Sequence, residues 1–357
     1  MKLLLTINDL TITGGAERVC VNLANALADS GVSVDILSFY RAHSSLPYAL
    51  SPKVKLHFWH LDSESHFAAR ISARPLGRLY YKNLYKFILS LRVWWRYKGI
   101  SAIIVSDWTF TPHLRRARTR YIKILHFIQA KYAKRNNCFD TLICLTHSYA
   151  SRWQGYHKHL KVIPNFLPTL PAISTDSSQK VVLSVGRLSE EKGFLRLIDI
   201  WECVKQSKDS KGWQLVIVGD GELREQIESK IHAKKLQDSI TLKPFTKDIE
   251  SEYLKASIYV MTSHFEGFGM VLVEASSYAL PCIAFDIPTG PSDIIESSVS
   301  GYLIEDNDLK NFATKTLELM NDESRRKALG ANAKERVKAH FSKESILPLW
   351  EEVLYAK

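Results

Sequence analysis

The chain has 357 residues, 46% hydrophobic and 24% charged, which suits a soluble globular protein of two domains, each able to bury its own core. Its five cysteines (Cys20, Cys138, Cys144, Cys203, Cys282) are scattered and odd in number, which argues against a disulfide framework or a zinc site and fits a reducing cytosol. The net charge of +11 is uneven: residues 1–170 carry 24 Lys+Arg against 8 Asp+Glu, a surplus of 16, which leaves the remainder at −5, and a basic first half points to an anionic partner.

Lys2–Ile7 reads as a buried first strand rather than a signal peptide, because its short apolar run gives way at once to polar residues and Gly14-Gly15. The pattern then predicts a helix over Glu17–Ala28, stopped by Gly31, and strands at Val32–Phe39, Ala102–Ser106, Tyr121–Phe127 and Thr141–Leu145. Pro164-Asn165-Phe166-Leu167-Pro168 and the polar stretch Ser174–Gln179 read as a linker. A second series follows, with strands at Val181–Val185, Leu215–Val218, Ile258–Met261 and Cys282–Phe285, each leading into a glycine- or proline-containing loop, and a helical tail from Leu309. Strands alternating with helices predict an α/β fold of parallel, helix-covered sheets. Two such domains would leave a cleft at the carboxyl ends of their strands, where these sheets bind ligands. No run approaches the roughly 20 apolar residues of a membrane span, so a cytoplasmic protein is expected.

Between Glu64 and Asp107 there is no acidic residue. Within that stretch residues 76–98 form an aromatic-rich segment. At about 100° per residue Arg78, Lys82, Lys86, Arg92 and Arg96 share one helical face, with Leu84, Ile88, Leu91 and Trp95 roughly opposite. The basic face suits an anionic membrane surface, while the apolar face is expected either there or in the domain core. Nucleic acid is the rival polyanion, but no nucleic-acid-binding motif accompanies the charge.

Several motifs carry chemistry. Gly14-Gly15 before a helix is either a tight turn or a place where backbone N–H groups reach a phosphate. It lacks the third glycine of a dinucleotide fingerprint, and no Gly-Lys-Ser/Thr loop exists. Arg187 and Lys192, in the Gly186–Gly193 loop after a buried strand, read either as solvated partners of Glu190 and Glu191 or as a clamp for a diphosphate leaving group. In the run from His264 to Ala275, Glu266 and Glu274 flank Gly267-Phe268-Gly269. Two carboxylates beside exposed backbone N–H groups at a helix start suit a phosphorylated, polyhydroxylated ligand such as a sugar nucleotide. Asp306-Asn307-Asp308 has the spacing of an Asp-x-Asp metal motif, but it precedes a helix and reads as a cap, so no metal is expected. His126, at the end of a first-domain strand, is read as a packed residue or as a polar group facing the expected cleft.

Together these segments resemble the retaining GT-B glycosyltransferases of family 4, bacterial enzymes that build lipopolysaccharide, capsule and lipid-linked glycans. The resemblance spans nearly the whole chain and rests on Gly14-Gly15-Ala16-Glu17-Arg18, Gly186–Gly193, Val218-Gly219-Asp220-Gly221, Glu266/Glu274, Thr289–Ile295 and Gly301-Tyr302-Leu303. It implies two Rossmann-like doubly wound domains facing across a cleft: residues 1–167 for the acceptor, 168–340 for the nucleotide sugar, and a final helix, 341–357, crossing back to the first. It implies that Arg187 and Lys192, with Gly14 and Gly15, bind the donor diphosphate, that Glu274 holds the ribose, and that Pro244 and Phe245 meet the base. Glu266 and the backbone of Gly267, Phe268, Gly269, Met270 and Val271 would hold the sugar and β-phosphate, with His126 as the first-domain histidine. The expected reaction is metal-independent, retaining transfer of a hexose or N-acetylhexosamine from a nucleoside diphosphate sugar, with a UDP-sugar as the expected donor, to a lipid-linked or lipopolysaccharide- or capsule-type glycan, without cofactor. The expected place is the cytoplasmic face of the inner membrane, as a peripheral protein. A sugar-nucleotide epimerase and a non-catalytic polyanion- or membrane-binding protein are the alternatives.

Overall fold

A computed structural model describes residues 1–126 and 131–355, apart from the side chains at 82 and 83. The chain divides into two compact units, Met1–Pro168 joined by the segment from Ile346 on, and Thr169–Ser345.

Unit 1 is built on a parallel sheet of β1 (Lys2–Asp9), β2 (Ser33–Tyr40), β3 (Lys55–Phe58), β4 (Ala102–Val105), β5 (Arg120–Leu125), β6 (Thr141–Cys144) and β7 (Leu160–Val162), in the order β3-β2-β1-β4-β5-β6-β7. Leu3, Leu4 and Leu5 are all fully buried, because helices cover both faces of such a sheet and its central strands need no polar side. In register, Leu4 sits between Asp35 of β2 and Ile103 of β4. The helix Gly15–Asp29 returns the chain from β1 to β2 and buries Cys20, Leu23, Ala24 and Leu27 at helical spacing.

Unit 2 repeats the plan with β8 (Val181–Val185), β9 (Gln214–Val218), β10 (Ile240–Lys243), β11 (Ile258–Met261), β12 (Cys282–Asp286) and β13 (Gly301–Glu305), in the order β10-β9-β8-β11-β12-β13. Its core gathers Phe194, Trp201, Ile217, Val260, Phe285 and Phe312. The order reverses between β8 and β11, so the loops leaving these neighbours diverge and open a crevice at their carboxyl ends. The helical tail forms three helices, Leu309–Asn321, Glu323–His340 and Lys343–Tyr355. The last belongs to unit 1 from Ile346 on, where Arg120 Nη1 donates to the Val353 and Leu354 carbonyls and Lys161 pairs with Glu352.

Sequence and structure agree on the central strands and differ at the edges. β3, β7 and β10 are short and half-solvated, so they carry no continuous apolar run to mark them, and β13 is short, opens on glycine and ends on the exposed Glu305. The strand expected over Tyr121–Phe127 ends at Leu125, and Phe127 lies outside the described residues. The segment 76–98 is not one regular helix. It contains a short helix at Gly77–Leu79, a π-turn at Tyr80–Leu84 and an α-helix at Tyr85–Arg96, and the extra residue of the π-turn rotates whatever precedes it by about 100°. Among the described residues no helix is long and apolar enough to cross a membrane.

Candidate functional site

The crevice of unit 2 is lined by the loops after β8 and β11. Gly193 closes the first loop in a left-handed conformation, φ 65°, and a Cβ there would stand 1.9 Å from the Thr262 carbonyl oxygen. Only glycine lets the two loops approach this closely. The approach brings Lys192 Nζ to 2.7 Å from Glu266 Oε1, which also accepts from Ser263 Oγ at 2.7 Å. The Glu266 carbonyl accepts from Thr289 Oγ1 at 2.6 Å. Glu266 is therefore a buried carboxylate with a half-exposed ammonium beside it. Arg187 is exposed, and among the described residues its guanidinium forms no ion pair or hydrogen bond. Neither cation pairs with its sequence neighbours as the solvated-loop reading expected. Glu191 instead accepts from Ser189 Oγ at 2.6 Å, which holds its carboxyl below the usual range.

The second loop enters the helix Met270–Ser277 through Gly269 at φ 95°, a conformation that favours glycine. The first N–H groups of that helix have no intrahelical acceptor. Gly267, Met270 and Val271 are half-buried, whereas the Phe268 ring is core, packed edge-on against Phe341 at 5.7 Å; only its backbone is available to a ligand. Glu274, one turn into the helix, is buried and accepts from Tyr253 Oη at 3.0 Å. Tyr253 comes from the Glu250–Leu254 helix and stacks on Tyr278. No local pattern marks it, since it meets Glu274 only through the fold.

Two further residues brace the crevice. Asp220, in the loop after β9, accepts the Phe245 N–H at 2.9 Å and is gripped by Arg224. That first bond, then Arg224, keeps its carboxyl below the usual range. Pro244 and Phe245 are exposed in consequence, with the Phe245 ring 59% accessible. Arg196 is buried over the Phe285 ring and donates to the Thr262 and Ser263 carbonyls and to Asp306 and Asn307. Asp308 caps the following helix by accepting from the Asn311 N–H at 3.0 Å. The Asp-x-Asp spacing thus serves a cap and an arginine clamp.

In unit 1, Gly14 is the extended N-cap of the Gly15–Asp29 helix, and its carbonyl accepts from Tyr48 Oη at 3.0 Å. His126 follows β5, with Nε2 buried and without a partner among the described residues. It shares a small cavity with Ser106, Asp107, Trp108 and Lys123. Burial, then the Lys123 charge, pushes the imidazole down to about 4, so it is neutral at ordinary pH. Lys123 is itself pushed down to about 8 by burial and donates to the Asp107 carbonyl at 2.9 Å. Burial raises Asp107 against the pull of Lys123, Thr6 and two backbone N–H groups.

The expected basic helix face is rearranged. Arg78, Arg92 and Arg96 are exposed, but Lys86 is half-buried with Nζ turned to the Trp108 carbonyl, and the Lys82 side chain lies outside the described residues. The apolar face assigned to Leu84, Ile88, Leu91 and Trp95 is not core. The buried stripe is Tyr85, Leu89, Val93 and Tyr97, while Leu84, Leu91 and Trp95 are exposed. A helical wheel locates an apolar face but cannot say which residues the rest of the domain covers.

The loops after β8 and β11 in unit 2 thus carry the exposed Arg187 guanidinium, which has no partner among the described residues, an ammonium paired with the buried Glu266 carboxylate, and a helix start whose first N–H groups lack intrahelical acceptors, with the buried Glu274 one turn further on. The set can neutralise a diphosphate and accept hydrogen bonds from vicinal hydroxyls. Residues 13–169 match the family model described as Glycosyltransferase Family 4, and residues 170–336 the one described as glycosyl transferases group 1. The chain is 28% identical to the amylovoran biosynthesis glycosyltransferase AmsD of Erwinia amylovora over 99% of each chain. It is also 28% identical, over 96% of each, to the GalNAc-alpha-(1->4)-GalNAc-alpha-(1->3)-diNAcBac-PP-undecaprenol alpha-1,4-N-acetyl-D-galactosaminyltransferase of Campylobacter jejuni. In fold it is similar to S. aureus TarM, solved as a mutant in complex with fondaparinux, alpha-GlcNAc-glycerol and UDP. That likeness has TM-score 0.80 at 17% identity and covers 99% of this chain and 100% of that one.

Proposed function

The chain belongs to the family 4 glycosyltransferases of GT-B fold, and we propose that it transfers a hexose or N-acetylhexosamine from a nucleoside diphosphate sugar, with UDP as the preferred carrier. The observation that carries this reading is the Lys192–Glu266 pair at the β8/β11 switch point, with Arg187, which has no partner among the described residues, on the same loop as Lys192. Arg187 and Lys192 stabilise the departing diphosphate; the backbone N–H groups of Gly267 to Val271 and the Glu266 carboxylate hold the β-phosphate and sugar. Glu274, oriented by Tyr253, accepts the ribose hydroxyls, and the exposed Phe245 meets the base. The UDP in the TarM complex supports the choice of nucleotide.

The chemistry is electrostatic. The bond from the anomeric carbon to the phosphate oxygen breaks, the diphosphate leaves with the electron pair, and the acceptor oxygen bonds on the same face. The acceptor proton passes to the leaving phosphate. The configuration is retained and the two cations take the place of a metal. The names of the amylovoran and undecaprenol-linked relatives support a lipid-linked, lipopolysaccharide- or capsule-type glycan as acceptor. With the basic first half they also support work as a peripheral protein at the anionic, cytoplasmic face of the inner membrane.

A hydrolysis screen of UDP-, GDP- and ADP-sugars without acceptor, with and without chelator, tests the reading. Release of UDP and of the sugar with retained configuration, unaffected by chelator, is expected. Turnover of none, or release of an epimerised sugar, refutes it.

A further inference from the structure

Arg196 stands where stability alone would not put it. It is the third residue of the helix Phe194–Lys205, and a cation in the first turn of a helix opposes the helix dipole. Its side chain is 8% exposed, whereas that of its carboxylate partner, Asp306, is 39% exposed. A buried charge with so solvated a partner adds little to folding, and replacing buried pairs by apolar side chains is neutral or stabilising in many proteins. An apolar side chain could also fill the place of the guanidinium, which lies 4.1 Å over the Phe285 ring.

What an apolar side chain could not do is grip the backbone. One edge of the guanidinium takes two successive carbonyls just past β11, with Nε donating to Thr262 at 2.6 Å and Nη2 to Ser263 at 2.5 Å. At the far end Nη1 donates to Asp306 Oδ1 at 2.7 Å and to Asn307 Oδ1 at 2.9 Å. Asn307 is left-handed at φ 68°, and its Nδ2 donates back to Asp306 Oδ2 at 3.3 Å. Thr262 and Ser263 are in turn the residues that shape the crevice. Thr262 Oγ1 donates to the Gly193 carbonyl at 3.0 Å, and Ser263 Oγ donates to Glu266 Oε1, the oxygen that also meets Lys192. A planar fork sets two adjacent peptides at once, which a lysine ammonium cannot.

We propose that Arg196 is a positioning residue for the transfer reaction: braced by Asp306 and Asn307 in the loop after β13, it fixes the Thr262 and Ser263 peptides and, through Ser263, the carboxylate of Glu266. The loop after β13 thereby acts on the crivice-facing carboxylate through one intervening side chain. Positioning rests on the assignment of Glu266 to the donor sugar given above. The groups assigned to the nucleotide are held by other bonds, Glu274 by Tyr253 and the Phe245 backbone by Asp220. Loss of Arg196 should therefore slow turnover and leave nucleotide affinity in place.

The test measures kcat for nucleotide-sugar hydrolysis and, separately, the Kd of UDP by calorimetry, both on the full chain. Arg196→Met should lower kcat about 100-fold, the effect of misplacing a reacting group by about 1 Å, and leave the Kd of UDP within about twofold of the parent. Arg196→Lys should regain little, since it cannot hold two carbonyls. Should the methionine variant fail to fold, Asp306→Ala with Asn307→Gly reaches the same point from an exposed loop. Both acceptors of Nη1 are then lost while glycine keeps the left-handed backbone, and kcat should fall about tenfold with the UDP Kd unchanged. Asp306→Asn with Asn307→Gly retains one acceptor and should recover most of that loss. Positioning by Arg196 is overturned if the variants keep kcat within about twofold of the parent, or if the UDP Kd weakens in step with kcat, the mark of a general loosening of unit 2. A parent that turns over no nucleotide sugar sinks the transfer reading itself. A parent that does turn over, and is matched by its variants, sinks the role of Arg196 alone.

Discussion

Replacing Lys192 by methionine keeps most of the side-chain stem and removes the cation that faces Glu266. The carboxylate is buried and left with the Ser263 hydroxyl as its remaining side-chain partner in the loop. An exposed ion pair contributes at most about 1 kcal/mol, whereas breaking a buried one from one side costs about 3–5 kcal/mol. The Lys192 side chain is 28% exposed and that of Glu266 7%, so the cost falls between, at about 2 kcal/mol. For a unit of this size that lowers the melting transition by about 4–8 °C. If Lys192 also stabilises the leaving diphosphate, kcat/KM falls about 100- to 1000-fold, the range for one lost electrostatic donor in a preorganised site. The double variant Lys192→Met with Glu266→Gln separates the two effects. An amide still accepts from Ser263 and needs no cation, so stability should return while turnover does not. Calorimetry of the unit 2 transition and nucleotide-sugar hydrolysis read the two outcomes. A single variant that melts within about 1 °C of the parent, or a double variant that regains turnover, refutes the reasoning.

Arg187→Ala should lower kcat/KM about 100-fold without moving the melting temperature, because the guanidinium has no partner among the described residues to lose; a matching drop in stability argues against a phosphate role. Tyr253→Phe removes the hydroxyl that donates to Glu274 and should raise the donor KM about tenfold at nearly constant kcat, read with substrate held across that range. An unchanged KM dissociates Tyr253 from donor binding. His126 is held at about 4 against an ordinary 6.5. The unfolded chain therefore binds the extra proton between those values, and stability is full above about 6.5 and lost as the pH falls toward about 4, by at most about 3 kcal/mol. His126→Asn should flatten that part of the pH–stability profile, and an unchanged slope assigns the titration elsewhere.

Much of the fold was legible because buried parallel strands advertise themselves. Leu3-Leu4-Leu5, Val181-Val182-Leu183 and Ile258–Met261 are continuous apolar runs, and each is followed by a glycine loop whose purpose is local. The edge strands β3, β7 and β10 are not marked by the sequence because half-solvated strands tolerate polar residues, and β13 is too short, with a glycine at its start, to stand out. The segment 76–98 misled for a related reason. Its composition announced an amphipathic helix, but a π-turn shifted the register at Tyr80–Leu84, and the stripe chosen for burial was Tyr85, Leu89, Val93 and Tyr97.

By itself the sequence determined the two-sheet α/β plan and the chemical inventory: two carboxylates around a Gly-Phe-Gly turn, and two cations on the loop after β8. Those depend on residue type and short-range spacing, which local physics constrains. Only the tertiary structure decided the pairings. Lys192 meets Glu266 across 74 positions, Tyr253 meets Glu274 across 21, and Arg196 reaches Asp306 across 110. Such contacts depend on which strands are neighbours and how closely two loops can pass. A glycine at 193 allows the closest of those passages, and the sheet order β8-β11 makes it necessary.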